Sequence, residues 1–291
     1  MTMPQAGAID VRSVIAAGQF HTVFQPVVDL WSDAVMGYEA LTRGPAGPLE
    51  QPAQLFAAAR AAGLVGELDT VCRRVAVQTA IQLKLFAPLT VFINVEPDEL
   101  DPAHLDPLIE LAQSAAGQLQ VVLEVTERAL ASRPANLLAS VRRLRAAGWR
   151  IALDDVGADD LSLAFMSLLR PEVIKLDLQL VQRRPDRKIA EIMTAVNSYA
   201  QRTGAVIVAE GIETDAHRST ACALGARMGQ GWLFGRPTPN PTTPRAGTEL
   251  PEVLCRILLS WKDVKHAEED RSGAPRSCGA SGSRAPCRVP D

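Results

Sequence analysis

The sequence predicts an α/β chain closed into a modified TIM (β/α)8 barrel, with one antiparallel strand contributed by an N-terminal hairpin. Three observations predict it. Short apolar runs rich in Val, Ile and Leu alternate with helix-period segments as far as residue 233, the pattern of parallel strands joined by crossover helices. Counting the hairpin as two, there are eight such runs, the number that closes a barrel. No Gly-rich phosphate loop follows the first run, which favours the barrel over the runner-up, an open doubly wound sheet.

The elements follow in order. "HTVFQPVVDL" (21–30) and "AVMGYEALTR" (34–43) are joined by a short polar turn around Ser32 and Asp33, and read as an antiparallel hairpin. "PAQLFAAARAAG" reads as a helix, and in the longer helix after it Leu68, Val71, Cys72 and Val75 fall at i, i+3, i+4 and i+7. The remaining strands are "LTVFINV", "LQVVLEVTE", "WRIALDDVG", "EVIKLDL", "AVIVAEGIE" and "ARMGQGWLF". Between them, Leu137, Val141 and Leu144 form one apolar stripe ended by Gly148. Ile189, Ile192, Met193, Val196 and Ala200 form another ended by Gly204. After Pro237 the composition shifts. Residues 238–264 read as a Pro/Thr linker plus a covering helix for the eighth unit at 251–263, and residues 265–291 as a disordered tail.

Apolar content of 47% with 22% charged residues is ordinary globular composition. A net charge of -3 gives no electrostatic case for DNA, RNA or an anionic membrane. No apolar run is long enough to span a bilayer, and the N-terminus lacks the basic and apolar regions of a signal peptide. The chain reads as cytoplasmic. Its five cysteines and four histidines show no metal-binding spacing, so any metal here is held by oxygen atoms.

Polar residues fall where the strands end. "VFIN" ends on Asn94, "VVLE" on Glu124, "IALDD" on Asp154 and Asp155, and "IVAE" on Glu210; Lys175 interrupts "VIKLD" and Gln230 follows "MG". Glu39 holds the same relative place on its strand, and Glu127 and Glu213 each lie three residues beyond a strand-end glutamate. Any one of them alone is more often a loop residue or helix cap. In a parallel barrel, however, the C-terminal strand ends converge on one face. Carboxylates gathered there repel, and one lysine does not neutralise them. A divalent cation is the natural counter-charge, and all-oxygen donors point to Mg2+ or Mn2+. Adjacent aspartates suit two ions, and so metal-assisted hydrolysis of a phosphate ester.

The motifs "FQPVV", "GYEALTRG", "INVEP", "LEVTE", "IALDDVG", "VIKLD", "VAEGIET" and "GQGWLFGRP" are similar, in order and spacing, to the signatures of EAL domains. These are phosphodiesterases specific for cyclic di-GMP. The resemblance runs over residues 18–237, leaving 1–17 as a lead-in. It implies that Glu39, Asn94, Glu124 and Asp154 hold one metal, and that Asp154, Asp155 and Glu210 surround a second. It further implies that Lys175 steadies the attacking water and that Glu210 serves as general base. Gln25, Arg43 and Gln230 match substrate-contacting positions, Glu213 matches a site residue, and Glu127 matches a glutamate that anchors the loop after the paired aspartates. A homodimer is implied as well.

The chain departs from the family in that loop. It reads "DVGADDLSL" from Asp155, where the family reads like DFGTGYSSL; only Gly157, Ser162 and Leu163 persist beyond the aspartate. Asp159 in place of a glycine removes backbone freedom. Three expectations stand side by side: a hydrolase that linearises cyclic di-GMP to pGpG, a binding module for cyclic di-GMP with little turnover, and a hydrolase of another phosphodiester.

Overall fold

Strand β1 (His21–Asp29) reverses into β2 (Val35–Arg43), placing Gln25 opposite Glu39. The reversal is held by Asp29, whose Oδ1 accepts the N–H groups of Trp31 and Ser32 at 3.1 and 2.9 Å. An aspartate that captures backbone donors two and three residues on imitates a turn locally. The computed structural model describes residues 10–96, 102–115, 118–126, 134–157, 161–183 and 186–242. Strands β3 (Thr90–Asn94), β4 (Gln120–Val125), β5 (Arg150–Val156), β6 (Val173–Leu176), β7 (Val206–Ala209) and β8 (Met228–Gln230) complete a closed barrel in sequence order. β1 is antiparallel to both of its neighbours, β2 and β8, and the other pairings are parallel.

The described helices are α1 (Val11–Ala16), α2 (Pro52–Ala62), α3 (Val65–Gln82), α4 (Pro102–Gln113), α5 (Pro134–Ala146), α6 (Leu161–Leu169), α7 (Leu178–Gln182), α8 (Arg187–Thr203) and α9 (Asp215–Ala223). None of them is long and apolar enough to cross a membrane. The apolar stripes read from sequence are buried: Leu137, Val141 and Leu144 on α5, and Ile189, Ile192, Met193 and Val196 on α8. α8 starts where the Asp186 carboxylate accepts the Ile189 N–H at 2.8 Å, a cap that stabilises by about 1 kcal/mol. It stops at Gly204, whose φ of 77° suits glycine. Helix α1, inside the predicted lead-in, packs Val11 and Val14 against Leu55, Ala59 and Leu68. The predicted covering helix at 251–263 and the tail at 265–291 lie outside the described residues.

The barrel interior is layered. Val27, Phe92, Val122, Ala152, Val173, Val208 and Met228 fill one apolar layer. Side chains two residues apart on a strand share a face. Two residues beyond this layer therefore come Asn94, Glu124, Asp154, Lys175, Glu210 and Gln230, and on β1, which runs backwards, Gln25 two residues before Val27. The intervening Ile93, Leu123, Leu153 and Ile174 belong to the outer core with the helices.

One strand differs from expectation. "ARMGQGWLF" reads as a continuous buried strand, but β8 ends at Gln230, and Trp232 and Leu233 are 53% and 37% exposed. Gly231 lies so close to Ile212 that a Cβ there would meet its carbonyl oxygen at 2.0 Å. The chain then turns, with the Phe234 N–H donating to the Gly231 carbonyl, and returns to bridge Thr238 to Phe24 of β1. That bridge covers the upper part of β1 beyond its pairing with the short β8.

Candidate active site

Lys175 stands in the middle of the polar layer, 1% exposed. Its ammonium lies 2.6 Å from Glu210, 2.7 Å from Glu124, 3.2 Å from Asp154 and 3.9 Å from Glu39. β2, β4, β5 and β6 and the residue after β7 thus meet at one point, although they are far apart in sequence. Burial alone disfavours a charged lysine, but Asp154, Glu124, Glu210 and Glu39 outweigh it and raise its pKa well above the usual lysine range.

The carboxylates respond differently to a shared environment. Burial is the largest influence on each. It lifts Glu124 well above the ordinary glutamate range against the pull of Lys175, with Glu39 and Asp154 adding repulsion. Glu210 is pushed up to about 8, again chiefly by burial, opposed by Lys175 and reinforced by Asp154 and Glu39. Glu39 moves the other way. Burial opposes its ionisation, yet Lys175 and the amide donors of Gln230 and Asn94 hold it below the usual range.

Those donors form a chain. Gln230 Nε2 donates to Glu39 Oε2 at 2.5 Å and to Gln25 Oε1 at 3.0 Å, Gln25 Nε2 donates to the Gly235 carbonyl at 3.1 Å, and Asn94 Nδ2 donates to Glu39 Oε1 at 2.7 Å. With its amide nitrogen committed to Glu39, Asn94 keeps its carbonyl oxygen as the group available for a cation.

Neighbouring residues on an extended strand point to opposite faces, so Asp154 and Asp155 would ordinarily diverge. Here β5 departs from regular pairing between Leu153 and Val156, and Asp155 takes a φ of 56°. A left-handed backbone costs a residue with a Cβ about 1–2 kcal/mol. In return, Asp154, Asp155 and Glu210 each bring a carboxylate oxygen within 4.8 Å of the others. Fully buried Glu124 Oε2 accepts no hydrogen bond from any described group. Hard oxygen donors, a surplus of negative charge and an unsatisfied buried oxygen fit a divalent cation of the Mg2+ or Mn2+ type.

The other predicted site residues are placed as follows. Arg43, half-buried at the end of β2, donates through Nη1 to the Thr42 carbonyl at 2.8 Å. Glu213 is exposed on the loop before α9, its N–H donating to His217 Nδ1 at 3.3 Å, and no described contact joins it to the carboxylates. Glu127 and loop residues Asp159 and Asp160 lie outside the described residues; Val156 before them is fully buried. Sequence reasoning missed the stack of Arg236 on Trp232, 3.9 Å from guanidinium to ring centroid, on the turn after β8. Gly231 and Gly235 flanking that stretch were the available signal of a turn.

The model of the family described as EAL domain matches residues 9–237. The cyclic di-GMP phosphodiesterase RocR of Pseudomonas aeruginosa is 31% identical over 236 residues, which cover 79% of this chain and 60% of RocR. The cyclic di-GMP phosphodiesterase PA2567 of the same organism is 33% identical over 225 residues, covering 75% of this chain and 38% of PA2567. This chain thus spans less than two thirds of the length of these curated relatives. Among solved structures, a manganese/cy-diGMP complex of Klebsiella pneumoniae BlrP1 matches with a TM-score of 0.68 at 27% identity, over 82% of this chain and 58% of that one. The PaMucR phosphodiesterase in complex with c-di-GMP matches with a TM-score of 0.65 at 28% identity, over 79% and 96%.

Proposed function

The chain belongs to the EAL domain family, and from that premise we propose that it hydrolyses cyclic di-GMP to linear pGpG at the mouth of its barrel, in a site holding two Mg2+ or Mn2+ ions. The observation that carries this reading is the convergence of Glu39, Glu124, Asp154 and Glu210 on Lys175, with Asp155 turned toward Asp154 and Glu210. Glu39, Asn94, Glu124 and Asp154 would hold one ion, and Asp154, Asp155 and Glu210 the other. When bound, the ions supply an acidified water and positive charge against the phosphoryl oxygens.

The chain's own groups do the rest. Glu210, 2.6 Å from the Lys175 ammonium and with an oxygen within 4.8 Å of those of Asp154 and Asp155, would take the proton of the attacking water as general base once the ions hold it ionised. Lys175 stays protonated and orients that water through its ammonium. The Arg43 guanidinium donates to a phosphate oxygen. Gln25 and Gln230 contact the dinucleotide beside Glu39. Water adds to phosphorus, the P–O3′ bond breaks, and the 3′ oxygen leaves with a proton, giving a 5′-phosphate. Within the same reading residues 18–237 are the working unit, two copies pair as a homodimer, and the enzyme acts in the cytoplasm.

Incubating the purified chain with cyclic di-GMP and Mg2+ or Mn2+ is expected to produce pGpG, with turnover lost in Glu39→Ala. The altered loop from Val156 to Ser162 favours one other reading, a module that binds cyclic di-GMP and signals to a partner. Tight binding with no pGpG above the Glu39→Ala control would establish that module instead.

A further inference from the structure

Behind the mouth, on α3, sits a charged pair that the mechanism above does not use. Asp69 and Arg73 are 3% and 2% exposed, and Arg73 Nη2 lies 2.7 Å from Asp69 Oδ2. A buried ion pair contributes little net stability, because desolvation offsets its attraction, and apolar replacement is often neutral. What the pair does with its remaining oxygen is more specific. Asp69 Oδ1 accepts the N–H of Glu96 at 3.1 Å.

Glu96 lies two residues beyond Asn94, the last residue of β3. On the β4 side Asn94 still pairs with Glu124, but on the β2 side the ladder ends one residue earlier, at Ala40 and Ile93. Past that point the amide of Glu96 has no strand partner on the β2 side, and Asp69 takes the role from α3. The line therefore runs from Arg73 through Asp69 and the Glu96 amide to the end of β3, and from Asn94 Nδ2 to Glu39 Oε1 at 2.7 Å. We propose that Asp69, held by Arg73, is a positioning residue that fixes the end of β3 so that Asn94 and Glu39 present their oxygens to one divalent ion. This rests on the metal assignment made under the proposed function.

The test separates the hydrogen bond from the ion pair. Asp69→Asn/Arg73→Leu and Asp69→Ala/Arg73→Leu both lack the ion pair, but the first keeps an acceptor for the Glu96 amide. Mn2+ binding to the substrate-free chain is measured by calorimetry, alongside kcat and KM. The Asn variant is expected to keep both Mn2+ sites at wild-type affinity. The Ala variant is expected to weaken one site about 10–100-fold, as outer-shell losses do, to leave the second unchanged, and to lower kcat more than it raises KM. Should Arg73→Leu prevent folding, Asp69→Asn and Asp69→Ala alone make the same comparison. Equal Mn2+ affinities in the Asn and Ala variants, with a wild-type chain that binds two ions, would overturn the proposal and leave the two-metal reading intact. A wild-type chain that binds no Mn2+ would overturn both.

Discussion

Replacing Lys175 with Met removes one positive charge and little volume from the point where four carboxylates meet. Glu210, Glu124, Asp154 and Glu39, each 2.6–3.9 Å from the Lys175 ammonium, then have no cation between them. Removing one partner of a buried charge cluster costs about 3–5 kcal/mol, because the charges left behind stay desolvated. At about 2–4 °C per kcal/mol for a domain of this size, the chelator-treated variant should melt roughly 6–20 °C below the wild type near neutral pH. Two conditions should narrow the gap. Acidification toward about pH 5 protonates Glu39, which Lys175 no longer holds below the usual range, and saturating Mn2+ supplies the missing positive charge. Thermal melts of both proteins, with chelator and with Mn2+ at the two pH values, measure this directly. A variant that melts within about 2 °C of the wild type in chelator near neutral pH, or a gap that acid does not narrow, would refute the view that Lys175 neutralises the site.

Other perturbations have equally definite outcomes. Glu210 has a folded-state pKa near 8 against an ordinary 4.5, so folding favours its protonated form. Its contribution to the metal-free protein is complete below about pH 4.5 and is lost as pH rises through about 8. Denaturation midpoints across that window should fall with pH, and Glu210→Gln should flatten the slope. Asp155→Gly removes one of the three carboxylates whose oxygens meet within 4.8 Å and should weaken Mn2+ binding, which a Mn2+ titration reads. Gln230→Ala removes the donor to both Glu39 Oε2 and Gln25 Oε1 and should cost about 1–3 kcal/mol. The same variant should raise the pKa of Glu39, visible as a shift of the acid limb of the pH–rate profile.

Much of the fold was legible in the sequence. The alternation of short apolar runs with 3.6-period stripes encodes strands and helices directly, and eight runs close a barrel. The antiparallel hairpin was legible from its polar turn. The "QGWLF" stretch was not, because hydrophobicity reports burial only on average. Trp232 and Leu233 are apolar yet exposed, and what turns the chain there is the closeness of Gly231 to Ile212, which comes from another strand's loop.

For the site, the sequence by itself determined which residue each strand delivers to the mouth. The two-residue period sends Asn94, Glu124, Asp154, Lys175 and Gln230 to the side that Phe92, Val122, Ala152, Val173 and Met228 occupy one step below. Only the tertiary structure decided how those groups meet. Lys175 among four carboxylates, Gln230 bridging Glu39 and Gln25, and Asp69 reaching the end of β3 from α3 all depend on distances across the barrel. Asp155 makes the difference plainest. The period assigns it to the outer face, away from Asp154, and the irregularity of β5 together with a positive φ turns it back into the site. Periodicity records direction relative to the local backbone. Separation between strands, and departures from regular backbone, are set by the packing of the whole barrel.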